Sequence, residues 1–183
     1  MDIVEFFQLS SGKWFSHRTS HLLSTNQSEG GKSEVQIEML ANTDSEVTRL
    51  CEQYKIAPEM VTCGIRVRWN GGLEGQGKQS GTTVLVAIAD PEKPNQGKLL
   101  RQTEDANHLS PGRYIVGEDD ALTLITEDGP ILSEERLWFA SPNLRLRAGI
   151  VKQANGFSAA SFLLRNSDGS DKTRAVEGKR GKE

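Results

Sequence analysis

Residues 112–165 read GRYIVGEDDALTLITEDGPILSEERLWFASPNLRLRAGIVKQANGFSAASFLLR, and their rhythm decides the fold. Short runs rich in Ile, Leu, Val, Thr and aromatic residues alternate with compact clusters. These are Glu118-Asp119-Asp120, Asp128-Gly129-Pro130, Ser141-Pro142-Asn143 and Asn155-Gly156. Each cluster breaks the chain for a physical reason. Gly admits positive φ, Pro fixes φ and donates no hydrogen bond, and Asn or Asp bonds back to its own backbone. The spacing predicts strands over 112–118, 121–128, 130–139, 144–152 and 157–165.

The same rhythm continues towards the N-terminus, with strands expected over 13–24, 33–41, 61–70, 79–90 and 97–103. Glu29-Gly30-Gly31-Lys32, Asn70-Gly71-Gly72 and the stretch from Asp90-Pro91 to Asn95-Gln96-Gly97 read as their turns. Two segments break the pattern. Asp2 with Glu5 three residues on forms a capping-box start, and Ile3, Phe6, Phe7 and Ser10 share one face of a helix ended by Gly12. A second helix is expected from Thr43, with Val47, Leu50, Cys51 and Tyr54 as its apolar stripe and Pro58 closing the region. Ten short strands without βαβ spacing imply an all-β, antiparallel sheet. So many strands in one small domain close into a barrel, because closure removes exposed edges.

Composition sets the bounds. The 183 residues suit one domain, expected over 1–167, with a disordered tail over 168–183 that lacks large apolar residues except Val176. The net charge of −3 argues against a nucleic-acid binder. No apolar run is long enough for a membrane span, and the acidic start does not read as a secretory signal. Cys51 and Cys63 lack metal-ligand spacing, and His17, His21 and His108 are scattered, so no metal site is expected. The cysteines read as reduced thiols.

A ten-stranded barrel encloses room for one ligand, and its inward polar residues would carry function. Arg145 and Arg147 share one face of their strand, opposite Leu144, Leu146, Ala148 and Ile150. Either the arginines are solvated and the leucines fill the core, or the arginines face the cavity, about 7 Å apart, and hold two carboxylates of one ligand. Periodicity does not choose between these. Glu135, on a face with Ser133, Leu137 and Phe139, is either solvated or an ion-pair partner or proton donor inside. Trp69 suits ordinary core or a wall for a flat conjugated ligand.

Two strings go further. Residues 5–14, EFFQLSSGKW, with Arg18-Thr19-Ser20-His21, resemble the opening of the S-type phycobiliprotein lyases, the CpcS/CpeS family. Residues 133–147, SEERLWFASPNLRLR, resemble the same family, as do Gly156-Phe157-Ser158 and Ala160-Ser161-Phe162. The resemblance covers residues 1–163 and implies a lipocalin-like, fatty-acid-binding-protein-like barrel of ten strands with one or two short helices. It implies binding of a linear tetrapyrrole bilin, such as phycocyanobilin, and its delivery to a cysteine of a phycobiliprotein subunit such as phycocyanin or allophycocyanin. The product would be a thioether at the ring-A ethylidene carbon.

On this resemblance Arg145 and Arg147 anchor the two propionates, and Glu135 lies near the pyrrole nitrogens. Trp69 lines the ligand, Arg18 and Trp14 stand at the entrance or lining, and His21 matches a histidine proposed to form a transient adduct. No cofactor beyond the bilin substrate is required. The setting implied is the cytoplasm of a cyanobacterium or the plastid stroma of an alga, with a homodimer conceivable. The Gly-rich hairpin from Asn70 to Ser80 departs from the family by lacking a second tryptophan. A carrier that binds a bilin or another amphipathic acid without transferring it is the alternative.

Overall fold

A computed structural model describes residues 1–22, 27–73, 77, 79–102, 111–153 and 158–167. The expected tail, His108 and the Asn155-Gly156 turn lie outside these residues. Ten strands form: β1 (Gly12–Leu22), β2 (Gln27–Leu40), β3 (Cys63–Leu73), β4 (Gln79–Ala89) and β5 (Gln96–Arg101). They continue as β6 (Gly112–Val116), β7 (Leu122–Asp128), β8 (Ile131–Ser141), β9 (Leu144–Gln153) and β10 (Ser158–Ser167). Each pairs antiparallel with the next in sequence, and β10 returns to β1, closing the barrel. The all-β barrel inferred from turn spacing is the fold observed.

Two glycine runs read as turns lie instead inside strands. Gly30 and Gly31 fall in β2, and Gly71 and Gly72 in β3, where Ser33 pairs with Gly71 and Lys32 with Gly72. At Gly71 the cause is close backbone approach: a Cβ there would stand 2.3 Å from the Lys32 carbonyl oxygen. β1 ends at Leu22 and β2 begins at Gln27, before the first glycine pair, while β3 ends at Leu73, after the second, and β4 begins at Gln79.

Helix α1 (Ile3–Ser10) carries the expected capping box. Glu5 N–H donates to Asp2 Oδ1 at 2.8 Å, and Asp2 N–H to Glu5 Oε2 at 3.0 Å. Ile3, Phe6 and Phe7 pack with Val35, Ile37, Ile65, Leu99, Leu122 and Leu137, so α1 closes one end of the barrel from within. Helix α2 (Ser45–Gln53) is capped by Asp44 rather than begun at Thr43, the Asp44 carboxylate accepting from Glu46 N–H at 2.9 Å. A short 3-10 turn over Pro58–Met60 follows.

The two faces of β4 show how the helices divide the work. Val84, Val86 and Ile88 point out and pack with Val47, Leu50 and Cys51 of α2. Ala87 points in and joins the cluster under α1, with Leu85 packed against it. Arg66 bonds to Glu46 on α2 and to Glu38 on β2, pinning α2 to the outer wall. Among the described residues no helix is long and apolar enough to cross a membrane.

Candidate functional site

Because the barrel is closed and α1 plugs one end, the lumen has a floor and a mouth. The deep part, about 190 Å³, is floored by Phe6 and Phe7 and walled by Ile37, Ile65, Leu99, Leu122 and Leu137. Polar groups enter it from the strands: Thr83, Arg101, Thr126, Ser133, Glu135, Arg145 and Arg147. The mouth, about 450 Å³, is lined by Ser16, Arg18, Ser33, Trp69, Gln79 and Val151 among others. Both parts share Val67, Thr83, Glu135 and Arg147, so they form one lumen.

This geometry resolves the alternation on β9. Arg145 and Arg147 take the inner face, and Leu144 and Leu146 the outer, where Leu146 pairs with Trp138. Arg145 is 5% exposed. Its Nη1 donates to Ser10 Oγ at 2.5 Å, and its Cζ lies 5.4 Å from the centre of the Trp14 ring. Arg147 sits higher and forms an ion pair with Glu135 on the neighbouring strand. Among the described residues the lumen is lined by Arg18, Lys32, Arg101, Arg145 and Arg147 and by one carboxylate, Glu135. An apolar slot with this excess of guanidinium suits a long, flat ligand bearing carboxylates.

Trp69 stands at the mouth, 39% exposed, opposite Gly81 in the β3–β4 register. A Cβ on Gly81 would lie 2.2 Å from the indole, so this glycine lets the ring lie across the inner wall. Arg18 also reaches the mouth, its Nε donating to Ser20 Oγ at 2.8 Å. Trp14 packs in the cluster under α1. It is 1% exposed, its Nε1 donates to the Ser10 carbonyl at 2.7 Å, and it packs on Phe139 at 6.3 Å. His21 is exposed and alternates onto the face of β1 opposite Ser16 and Arg18, so the fold does not bring it to Glu135 and Arg147.

Arg101, Thr83 and Ser10 escape the reading from sequence. Arg101 shares a face with Leu99, which alternation on β5 makes visible once Leu99 is known to be core. Ser10 carries a weaker signal, a lone hydroxyl on the apolar face of α1.

Neither cysteine is poised as a nucleophile. Burial pushes the Cys63 thiol up to about 12, helped by the nearby Asp2 carboxylate, and burial raises Cys51 as well. A further concavity, about 570 Å³, adjoins the mouth and shares Val35 and Trp69 with it. It is lined mainly by outward residues of β1 to β4, including Lys13, Phe15, Gln36 and Arg68, and holds none of Glu135, Arg145 or Arg147.

Comparison with known proteins follows the same line. The sequence profile of a family described as "CpeS-like protein" matches residues 2–165. A relative in Thermosynechococcus vestitus, "Chromophore lyase CpcS/CpeS", is 52% identical over 88% of this chain and 90% of its own length. In Picosynechococcus, "Phycocyanobilin lyase subunit CpcS" is 35% identical over 89% of this chain and 84% of its own. The solved structure of the S-type phycobiliprotein lyase CPES from Guillardia theta superposes with a TM-score of 0.84 at 34% identity, covering 93% of this chain and 94% of that one.

Proposed function

This chain belongs to the CpcS/CpeS family of chromophore lyases, and on that premise we propose that it binds a linear bilin and delivers it to a cysteine of a phycobiliprotein subunit. Phycocyanobilin is the substrate we assign, phycocyanin or allophycocyanin subunits the acceptors, and the cytoplasm the setting. The observation that carries the reading is the pair of inward arginines, Arg145 and Arg147, at two depths of one apolar lumen. A bilin bears two propionates on an otherwise flat, conjugated body. The arginines hold the propionates, Glu135 accepts from pyrrole N–H groups, and Trp69 covers one face. Arg147 has five donors, so it serves Glu135 and a propionate together.

The reaction is an addition. The acceptor's cysteine sulfur bonds to the ring-A ethylidene carbon, the carbon–carbon π bond is consumed, and the thiol's proton passes to the tetrapyrrole. Nothing leaves and nothing is oxidised. The protein contributes position: one extended conformer with ring A presented at the mouth raises the effective concentration and selects one face. The incoming thiol comes from the acceptor, which accords with the raised, buried thiols of this chain.

Reconstitution with free phycocyanobilin and a panel of subunits tests this. Covalent product of the correct absorbance forms well above the spontaneous background. A rate equal to the no-protein control with every subunit sinks transfer, and tight binding without transfer leaves a carrier. Arg145→Ala and Arg147→Ala each weaken bilin binding by about tenfold or more, read by absorbance titration.

A further inference from the structure

We propose that Ser10, the last residue of α1, is a positioning residue for Arg145, so that the plug helix is part of the ligand anchor as well as of the core. The inference rests on the bilin reading above. Ser10 is fully buried, at 0% exposure, on a face otherwise made of Ile3, Phe6 and Phe7. A buried hydroxyl in that company needs a partner, and Arg145 supplies it across 135 positions of sequence.

The contact is fixed from both sides. The Trp14 indole donates to the Ser10 carbonyl while its ring faces the Arg145 guanidinium. Phe139 braces the group, 5.1 Å from Phe6 and 6.3 Å from Trp14. A long arginine loses much rotamer freedom when it binds an anion, and holding it beforehand removes that cost from binding. Neither Ser10 nor Trp14 brings a carboxylate. They orient the guanidinium through a hydroxyl and a ring face, whereas Arg147 is held by the carboxylate of Glu135. Arg145, so held, lines the deep lumen.

A double-mutant cycle on the full chain, read by absorbance titration with phycocyanobilin, tests the idea. Ser10→Ala weakens binding about threefold to tenfold in the native background and less than about twofold when Arg145 is already Ala. Ser10→Thr, which keeps the oxygen, binds within about twofold of the native chain. Should Ser10→Ala not fold, Ser10→Cys, close in volume and a poorer acceptor, replaces it in the cycle. A merely structural Ser10 would lower thermal stability and change affinity by the same factor in both backgrounds, which overturns the proposal. So does unchanged affinity in folded Ser10→Ala, or in Arg145→Ala. A native chain that binds no bilin fails at the earlier step, and the bilin reading falls first. Native binding that Arg145→Ala abolishes and Ser10→Ala leaves intact removes the positioning role alone.

Discussion

Arg145 and Arg147 are two residues apart on one strand, yet they live in different chemistry. Arg145 lies at the closed end, 5% exposed, held by a serine hydroxyl and an indole face. Arg147 lies nearer the mouth in an ion pair with Glu135, both side chains close to 30% exposed. A socket made of a hydroxyl and a ring face in a packed floor is rigid. An ion pair at a wetted mouth is weaker and exchangeable, because water screens it. On the function proposed above, the lumen has one preorganised anchor and one adjustable anchor. That polarity suits a ligand inserted with one end fixed and the other presented outside.

The contrast is broken most strongly at the floor. Phe6→Ala removes a fully buried ring from the plug and should cost about 3–5 kcal/mol in chemical denaturation, whereas Trp69→Ala at the mouth should cost less than about 1 kcal/mol. Equal losses would mean that the mouth is as much core as the floor.

A second contrast is in pH. At the closed end, burial raises the Cys63 thiol from 9.0 to about 12. Burial, with Cys63, Asp2 and Asp90 nearby, raises the Tyr114 hydroxyl from 10.0 to about 12. Both groups are neutral in the native floor and ionise first in the unfolded chain. Stability is thus unaffected below about pH 8 and falls as pH rises through 9 towards 12, by on the order of 5 kcal/mol for the two groups together. Cys63→Ala with Tyr114→Phe should flatten that slope in urea titrations at stepped pH. The smallest effect belongs to the mouth. Glu135→Gln should change stability by no more than about 1 kcal/mol while weakening bilin binding, measured side by side on one preparation. A large stability loss there would show a structural ion pair.

Much of this molecule was legible in one dimension. Turn clusters placed most strand boundaries within a few residues, and the α1 stripe and its capping box appear as read. Gly71 was not legible as strand because glycine marks both a turn and a close backbone approach, and only the partner strand tells them apart. The arginine pair was legible as a pair but not as a direction. Alternation has period two and is blind to which face is inside. The contact of Ser10 with Arg145 left no local trace, since it joins the first helix to the ninth strand.

What the sequence determined alone was local and periodic: where strands start and stop, which side chains share a face, and, through the strings around Trp14 and Arg145, which family the chain resembles. Tertiary structure decided the rest. It chose the inner face, stacked Arg145 against the plug and paired Arg147 with Glu135. The physical reason is closure. A sheet's two faces are equivalent until the barrel shuts and a helix seals one end, and only then do inside, floor and mouth exist for a residue to occupy.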